Sequence, residues 1–216
     1  MNDHTSTFEK LFPGFIWKFK GGEKEVFLTF DDGPIEGVTP WVLETLKTFK
    51  VKATFFCLGE NIVKNPIILK QIISEGHSVG NHTYSHLDSW KTSDEEYLQN
   101  ISKCAQYIPS NLFRPPFGKV KTSLIRSNSF FSKLRVIMWD VMSGDFDENI
   151  STEQCLENVL SKVKPGSIVL FHDSKKAEAK LKKVLPMVIN KLQLQGYTFK
   201  AIDSLESDER LVFKSV

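Results

Sequence analysis

Segments typical of strands and of helices alternate along most of this chain, and the alternation limits the folds it can adopt. Apolar runs rich in β-branched and aromatic residues are each followed by a stretch with helical spacing of its apolar positions. Because parallel strands are joined by crossover segments, the pattern predicts a mostly parallel sheet with helices packed on it. Strands are expected near 25–30, 52–57, 77–80, 111–113, 134–138, 167–171 and 197–200. Helices are expected near 38–49, 66–75, 94–107, 121–130, 152–163 and 178–195.

The size and composition of the chain fit one α/β domain. Its 216 residues can bury a substantial core, and contents of 41% hydrophobic and 25% charged residues argue against disorder. A formal net charge of +2 is too small to indicate a nucleic-acid partner. This number of strands fits either an incomplete barrel or an open sheet, and the alternation alone leaves both architectures open.

Two adjacent carboxylates follow the first expected strand. Asp31 and Asp32 end an apolar run and precede the turn residues Gly33 and Pro34. Neighbouring acids repel each other, and a bound divalent cation would remove that cost. Side chains alternate between the two faces of a strand, but the alternation breaks where a strand becomes a turn, so both acids can face one site. For this motif taken alone, a pair of turn acids without a metal is the alternative.

A pair of histidines supplies the second part of a candidate metal site. His82 and His86 are four residues apart, and on a helical turn their imidazoles would project from one face and share an ion. Asn81 would suit the cap of such a turn. Imidazole and carboxylate ligands together suit zinc and its neighbours in the transition series. Two unrelated surface or core histidines are the alternative for this spacing.

Two further polar groups stand at the ends of apolar runs. Arg114 precedes Pro115 and Pro116, whose rings restrict the local backbone, and its guanidinium can make forked contacts with a carboxylate. His172 ends the run that begins at Ser167 and could carry a proton. A solvated loop arginine and a structural histidine are the alternatives. In parallel α/β folds, such strand ends meet at the edge that holds the active site.

Taken together, five short motifs occur in an order that resembles a known family. Over most of its length the chain is similar to the polysaccharide deacetylases of the NodB-homology type, which form carbohydrate esterase family 4. The family motifs T-F-D-D-G, H-(S/T)-x-x-H, R-P-P-(Y/F)-G, D-x-x-S-x-D-W and L-x-H correspond to Thr29–Gly33, His82–His86, Arg114–Gly118, Asp140–Phe146 and Leu170–His172. The resemblance implies a distorted, incomplete (β/α)7 barrel with its site at the carboxyl ends of the strands.

The resemblance implies a divalent metal and two proton-transfer groups. Asp32, His82 and His86 would bind the metal, for which Zn²⁺ is expected and Co²⁺ or Ni²⁺ would also be suitable. Asp31 would be the general base that activates water. His172 would be the general acid that protonates the leaving group.

Five further residues would have supporting roles if the resemblance holds. Arg114 would pair with the base, and Asp145 would pair with the acid and raise its basicity. Leu170 would line the pocket for the acetyl methyl group, and the backbone amide of Phe117 would help to hold the oxyanion. Phe146 stands where the family often has Trp and would still offer an apolar wall to a sugar ring.

The function implied by the resemblance is the metal-dependent removal of N-acetyl groups from N-acetylglucosamine units of peptidoglycan, chitin or a related oligosaccharide. An O-acetyl esterase that acts on acetylated xylan-type glycans would use the same groups and is one alternative. A catalytically silent carbohydrate-binding relative is the other. The expected partner is an acetylated glycan, and neither nucleic acid nor a membrane span is expected.

Other polar and aromatic residues are interpreted as structural. His77 is expected to be a satisfied core histidine, and Asp173 is expected to point away from the site and to make a local turn bond. The lysines between 175 and 183 are expected to form the solvated face of a helix. Three tryptophans are expected to pack in the core: Trp41, Trp90 and Trp139.

The chain is expected to consist of one catalytic domain with two short flanks. Residues 1–23 are predicted to be a flap packed on the barrel, 24–203 the deacetylase domain, and 204–216 a tail. The apolar stretch 11–17 is interrupted by Pro and Gly and is typical of neither a signal peptide nor a membrane span. Three cysteines without a C-x-x-C pair fit reduced thiols, so a cytoplasmic location is expected. The substrate would then be an intracellular saccharide fragment, unless export uses a route that the sequence does not reveal.

Overall fold

One parallel sheet of eight strands organises the computed structural model, which describes residues 14–20, 23–127 and 131–202. The strands are β1 (Glu25–Asp31), β2 (Thr54–Cys57), β3 (Ser78–Asn81), β4 (Leu112–Phe113), β5 (Arg135–Val136), β6 (Val141–Met142), β7 (Ile168–His172) and β8 (Thr198–Phe199). Their order in space is β5-β4-β3-β2-β1-β7-β6, and β8 pairs with the start of β1. The sheet curls into a half-barrel, which confirms the expected distorted (β/α)7 architecture.

Helices fill most of the connections between strands. They are α1 (Thr39–Thr48), α2 (Gly59–Lys64), α3 (Pro66–Ser74), α4 (Asp94–Ala105), α5 (Thr122–Ser127), α6 (Thr152–Leu160) and α7 (Glu178–Leu194). Proline stands in the first turn of α1 and α3, where its missing N–H costs nothing. The hydroxyls of Ser93 and Ser151 cap the N-termini of α4 and α6. Within the described ranges, no helix has the length and apolar character needed to cross a membrane.

Strand β1 lies at the centre of the sheet and buries both of its faces. Val26, Leu28 and Phe30 have no exposed surface and belong to the main core, which also contains apolar residues of α1 and α7. Because side chains alternate along a strand, the residues between them point to the inner face of the curled sheet. These residues are Phe27, Thr29 and Asp31. The strand therefore carries Asp31 to the carboxyl end of the half-barrel, on its inner face.

A short segment before the barrel, residues 14–20, contacts both sides of the open part of the sheet. The Ile16 N–H donates to the carbonyl of Val136 in β5, and the Ile16 carbonyl accepts the Met138 N–H. The Phe19 N–H donates to the Gly166 carbonyl at 3.0 Å. The ring of Phe19 lies 4.4 Å from that of Phe27, centroid to centroid. The rest of the predicted flap, residues 1–13 and 21–22, and the predicted tail, 204–216, lie outside the described residues. The domain boundaries therefore stay a prediction.

Besides two short 3-10 helices, Pro116–Gly118 and Phe131–Lys133, one strand and one α-helix of the fold were not anticipated. Strand β6 has only two residues, so no alternation of side chains is available to indicate it. Helix α2 has six residues and begins at a glycine, which is a poor helix former. The other strands and helices confirm the expected elements, with bounds that differ by a few residues.

Candidate metal centre and active site

The two acids lie where the backbone leaves β1. Asp31 is the last strand residue, and Asp32 has a φ of 81°, in the left-handed region. This turn interrupts the strand alternation, so both carboxylates approach the same imidazole. The Nε2 atom of His82 lies 3.8 Å from Oδ2 of Asp31 and 3.7 Å from Oδ1 of Asp32. The predicted break in alternation at the strand end is confirmed.

The two histidines lie in a loop after β3 and not on a helical turn, so that part of the prediction was wrong. Thr83 and His86 have φ values of 68° and 57°, which no right-handed helix allows. Asn81, expected as a helix cap, is the last residue of β3, and its side-chain oxygen accepts the Thr83 N–H at 2.8 Å. Asn100 of α4 accepts two more N–H groups of the loop, at 2.7 and 3.0 Å. The folded loop places the two imidazole centroids 5.1 Å apart.

One carboxylate and two imidazoles form a group that can hold a metal ion. The candidate ligand atoms of Asp32, His82 and His86 all lie within 4.8 Å of one another. The Oδ1 atom of Asp32 lies 3.3 Å from Nε2 of His86, yet this buried oxygen makes no hydrogen bond with any described residue. An unsatisfied buried carboxylate oxygen is costly, and a cation at this point would satisfy it. The donor set therefore fits a divalent ion.

The state of His82 suits a metal ligand. Its Nδ1 atom lies 2.7 Å from the carbonyl oxygen of Arg114, so we assign the ring proton to Nδ1 and the free lone pair to Nε2. Burial lowers the pKa of His82, against the raising effect of Asp31 and Asp32. Neutral imidazole, the form that binds metals, is therefore favoured at neutral pH.

Arg114 is fully buried and holds Asp31 from below the site. Its Nη1 atom donates to Oδ1 of Asp31 at 2.8 Å and to the Thr29 hydroxyl at 2.7 Å. The carbonyls of Ile137 and Met138 accept its Nε and Nη2 protons at 3.0 and 2.8 Å. The guanidinium is thus satisfied in one orientation, as burial of a charge requires. Only Oδ2 of Asp31 remains directed toward the histidine cluster.

His172 forms the second charged pair of the site, with Asp145. Its Nδ1 atom lies 2.9 Å from Oδ1 of Asp145, and its backbone N–H donates to Oδ2 at 2.7 Å. Burial alone would lower the pKa of His172. The hydrogen bond and charge of Asp145, with smaller contributions from Asp31 and Asp32, outweigh burial and raise this pKa to about 9. The imidazole is therefore protonated at neutral pH, with its Nε2–H free to serve another group.

The sheet register brings these groups to one edge. Asp31 of β1 pairs with His172 of β7, and neighbouring strands lie about 4.8 Å apart. The ring of Phe146 contacts His172 edge-on at 4.9 Å between centroids. The ring of Phe117 contacts His86 in the same way at 4.7 Å and is 57% exposed. Leu170 lies two residues before His172 and is buried. All ten predicted site residues therefore come from this edge, although their individual roles stay predictions.

Asp173 was expected to make a local turn bond, and that expectation was wrong. Its carboxylate is buried and accepts the Gly33 N–H at 3.0 Å and the Thr39 hydroxyl at 2.5 Å. A Cβ atom on Gly33 would meet Oδ2 of Asp173 at 2.0 Å, so only glycine fits there. Through these two hydrogen bonds, Asp173 stabilises the turn that carries Asp32. Its position next to His172, at the end of a strand beside β1, was the one indication of this role in the sequence.

The remaining structural interpretations have mixed outcomes. His77 is buried and its Nδ1 accepts the Ala53 N–H at 3.2 Å, which confirms a structural role, and burial lowers its pKa to about 4. Trp90 is 64% exposed, so core packing was the wrong expectation for it. Lys180 is not simply solvated, because its ammonium group donates to two backbone carbonyls of the loop after β6.

Comparison with known proteins identifies the family. A family model described as polysaccharide deacetylase matches residues 18–131. The peptidoglycan-N-acetylglucosamine deacetylase of Bacillus cereus is 32% identical to this chain over 199 residues, which cover 89% of the chain and 93% of that protein. The chain belongs to the polysaccharide deacetylase family. The resemblance inferred from the five motifs is confirmed, and the family to which it points is carbohydrate esterase family 4.

Two further members show the range of lengths in this deacetylase family. The peptidoglycan-N-acetylglucosamine deacetylase PgdA of Listeria monocytogenes is 37% identical over 201 residues, which cover 88% of this chain but 41% of that longer protein. The crystal structure of the Bc1960 peptidoglycan N-acetylglucosamine deacetylase superposes with a TM-score of 0.85 at 31% identity, covering 94% of this chain and 98% of that one. Deacetylases of this family use a divalent metal, and the cluster of Asp32, His82 and His86 is the group in this chain that fits one.

Proposed function

We propose that this polysaccharide deacetylase is a metal-dependent hydrolase that removes N-acetyl groups from N-acetylglucosamine units of a peptidoglycan-type or chitin-like glycan. One observation carries the proposal. The metal-binding cluster, the Asp31–Arg114 pair and the His172–Asp145 pair meet at one edge of the sheet. The names of the similar proteins support an amino-sugar amide of peptidoglycan as the bond that is cleaved.

The ion would be held by one carboxylate oxygen of Asp32 and one imidazole nitrogen each of His82 and His86. We expect Zn²⁺, with Co²⁺ or Ni²⁺ as alternatives, because these ions accept mixed nitrogen and oxygen ligands. When bound at such a site, a divalent ion polarises a carbonyl and makes water more acidic. Three protein ligands leave room for small molecules around it.

The two charged pairs would move protons in opposite directions. Asp31 has one oxygen held by Arg114, and the other faces the cluster, so it would accept the proton of the attacking water. His172 keeps its Nδ1 on Asp145, so its Nε2–H would protonate the departing amine nitrogen. The sugar nitrogen of the cleaved amide is too basic to leave as an anion and must be protonated first. General acid catalysis of this kind contributes on the order of a hundredfold or more to the rate.

Three residues would shape the pocket around the reacting amide. The backbone N–H of Phe117 would donate to the oxyanion. Leu170 would bound the space for the acetyl methyl group. Phe146 lies against His172 and would offer its ring to the sugar.

Acetate release is the direct test of the proposed function. The Zn²⁺-reconstituted protein would be given N-acetylglucosamine oligomers, peptidoglycan fragments and acetylated xylan side by side, with chelator-treated protein as a control. Release from the amino sugars, lost on chelation, is the expected result. Release from xylan alone would establish the O-acetyl esterase alternative. Retained metal without release from any of the three would favour a silent carbohydrate-binding protein.

The raised pKa of His172 predicts a pH profile that depends on Asp145. A general acid must be protonated, so activity should fall as the pH rises through about 9. In Asp145→Asn the hydrogen bond to a charge is lost while burial remains, so the pKa of His172 should fall toward its ordinary value of 6.5. We expect the alkaline limb of the kcat profile to move down by roughly two pH units. The neighbouring variant Asp147→Asn should leave the limb in place, and an unmoved limb in Asp145→Asn would contradict the pairing.

A further inference from the structure

Trp90 is exposed beside the site, and the proposed reaction does not use it. It is 64% exposed, whereas the tryptophans at positions 17, 41 and 139 are all partly buried. Its backbone N–H donates to the Asp88 carboxylate at 2.9 Å, which sets the turn that presents the ring. An indole has an apolar body and a polar N–H, and this combination makes tryptophan common at binding surfaces.

Trp90 lies on the same loop as His86, which is part of the metal-binding cluster. Trp90 follows His86 by four residues, so their Cα atoms are at most roughly 14 Å apart. Lys119 follows Phe117 by two residues, so their Cα atoms are at most roughly 7 Å apart. The two segments touch twice. The rings of His86 and Phe117 are in contact, and the Ser89 hydroxyl donates to the Lys119 carbonyl at 3.1 Å. Together they form one continuous rim next to the site.

Lys119 adds a positive charge to this aromatic surface. Its ammonium nitrogen lies 5.1 Å from the centroid of the Trp90 ring. Among the described residues, no carboxylate lies within ion-pair distance of this nitrogen. A lysine held over an aromatic ring and without an anionic partner can bind an acid group of a ligand.

We propose that Trp90 and Lys119 form a subsite for a sugar unit that neighbours the one being deacetylated and that carries a carboxylate. This inference rests on the proposed function. The indole would stack on the apolar face of the sugar ring, and the ammonium group would bind its carboxylate. The muramic acid of a peptidoglycan strand without its stem peptides carries such a carboxylate, whereas the sugars of chitin carry none. The subsite would therefore favour these acidic peptidoglycan fragments over chitin-like oligomers.

Steady-state kinetics on two soluble oligosaccharides of equal length test the subsite. One is a neutral N-acetylglucosamine oligomer, and the other is a peptidoglycan glycan fragment with carboxylates. Trp90→Ala should raise KM roughly threefold to tenfold for both, because the ring is lost. Lys119→Gln should raise KM about threefold for the acidic fragment alone, and added salt should remove the difference. The kcat should stay unchanged, since neither residue touches the reacting atoms.

A matched control and a binding measurement separate this proposal from the proposed function. Lys182 lies 5.9 Å from the Trp41 ring and is paired with Glu178, so Lys182→Gln should leave KM and affinity at the wild-type values. Binding of both oligosaccharides would also be measured calorimetrically in the Asp31→Asn background, where turnover is expected to be lower by about a hundredfold or more. Loss of affinity on Trp90→Ala there would support the subsite even if no acetate were released. Unchanged KM and affinity in both variants, an equal effect of Lys119→Gln on the two oligosaccharides, or no binding at all would overturn it.

Discussion

The Asp31→Asn variant is expected to keep its metal and to lose turnover by about a hundredfold or more. The amide oxygen can still accept the Arg114 hydrogen bond at the position of Oδ1, so the guanidinium keeps its hydrogen bonds although it loses its charged partner. What the variant lacks is a basic oxygen directed at the cluster, where Oδ2 now lies 3.8 Å from His82. Acetate release and metal content, measured on the same preparation, give both readouts.

The adjacent variant Asp32→Asn provides the matched comparison for Asp31→Asn. The two substitutions make the same chemical change one residue apart, but only Asp32 contributes an oxygen to the metal-binding cluster. We expect Asp32→Asn to lose metal and activity together, because a neutral amide oxygen is a weaker ligand than a carboxylate. Near-normal turnover in Asp31→Asn, or full metal retention in Asp32→Asn, would reverse the roles assigned to the two acids.

The His82→Ala variant is expected to lose metal affinity by more than about a hundredfold and activity with it. Replacement of groups that only support a ligand costs on the order of 10- to 100-fold in affinity, so removal of one of three ligands should cost at least as much. Metal content after dialysis, and recovery of activity on titration with Zn²⁺, are the measurements. Weak but restorable activity at high Zn²⁺ would fit the loss of one ligand from an otherwise intact site.

The His77→Ala variant controls for general damage to the barrel. Both histidines are buried, and they flank the same strand β3, with His77 before its first residue and His82 after its last. His77 accepts a backbone N–H and has no place in the metal cluster. The His77→Ala variant should have a lower thermal stability than the wild type but the same metal stoichiometry. Equal metal loss in both variants would mean that His82 acts through folding and is not a ligand.

The sequence was most informative where local patterns and the fold agree. The alternation of strand and helix segments requires crossover connections, and these connections place all strand ends at one edge. That requirement, together with the family resemblance, predicts that Asp31, Arg114 and His172 lie at the same edge. The prediction missed elements that are too short to show a periodic pattern of apolar residues, as in β6 and α2.

Residues that act through long-range contacts were not predictable in the same way. Asp173 was assigned a local bond, but its partners Gly33 and Thr39 are 140 and 134 positions away. Trp90 was assigned to the core, because a tryptophan is buried on average, and its exposure depends on how two loops meet. No local pattern records such distances.

By itself, the sequence determined that this chain builds a parallel α/β sheet with carboxylate, imidazole and guanidinium groups at its strand ends. Only the tertiary structure decided how those groups point. Asp32, Thr83 and His86 all have positive φ values, a conformation that costs energy in isolation and persists only when surrounding contacts impose it. Those contacts come from Asp173, Asn81 and Asn100, and they turn the cluster inward. Side-chain type is local information, whereas side-chain direction in these loops also depends on partners from other elements, such as Asp173 and Asn100.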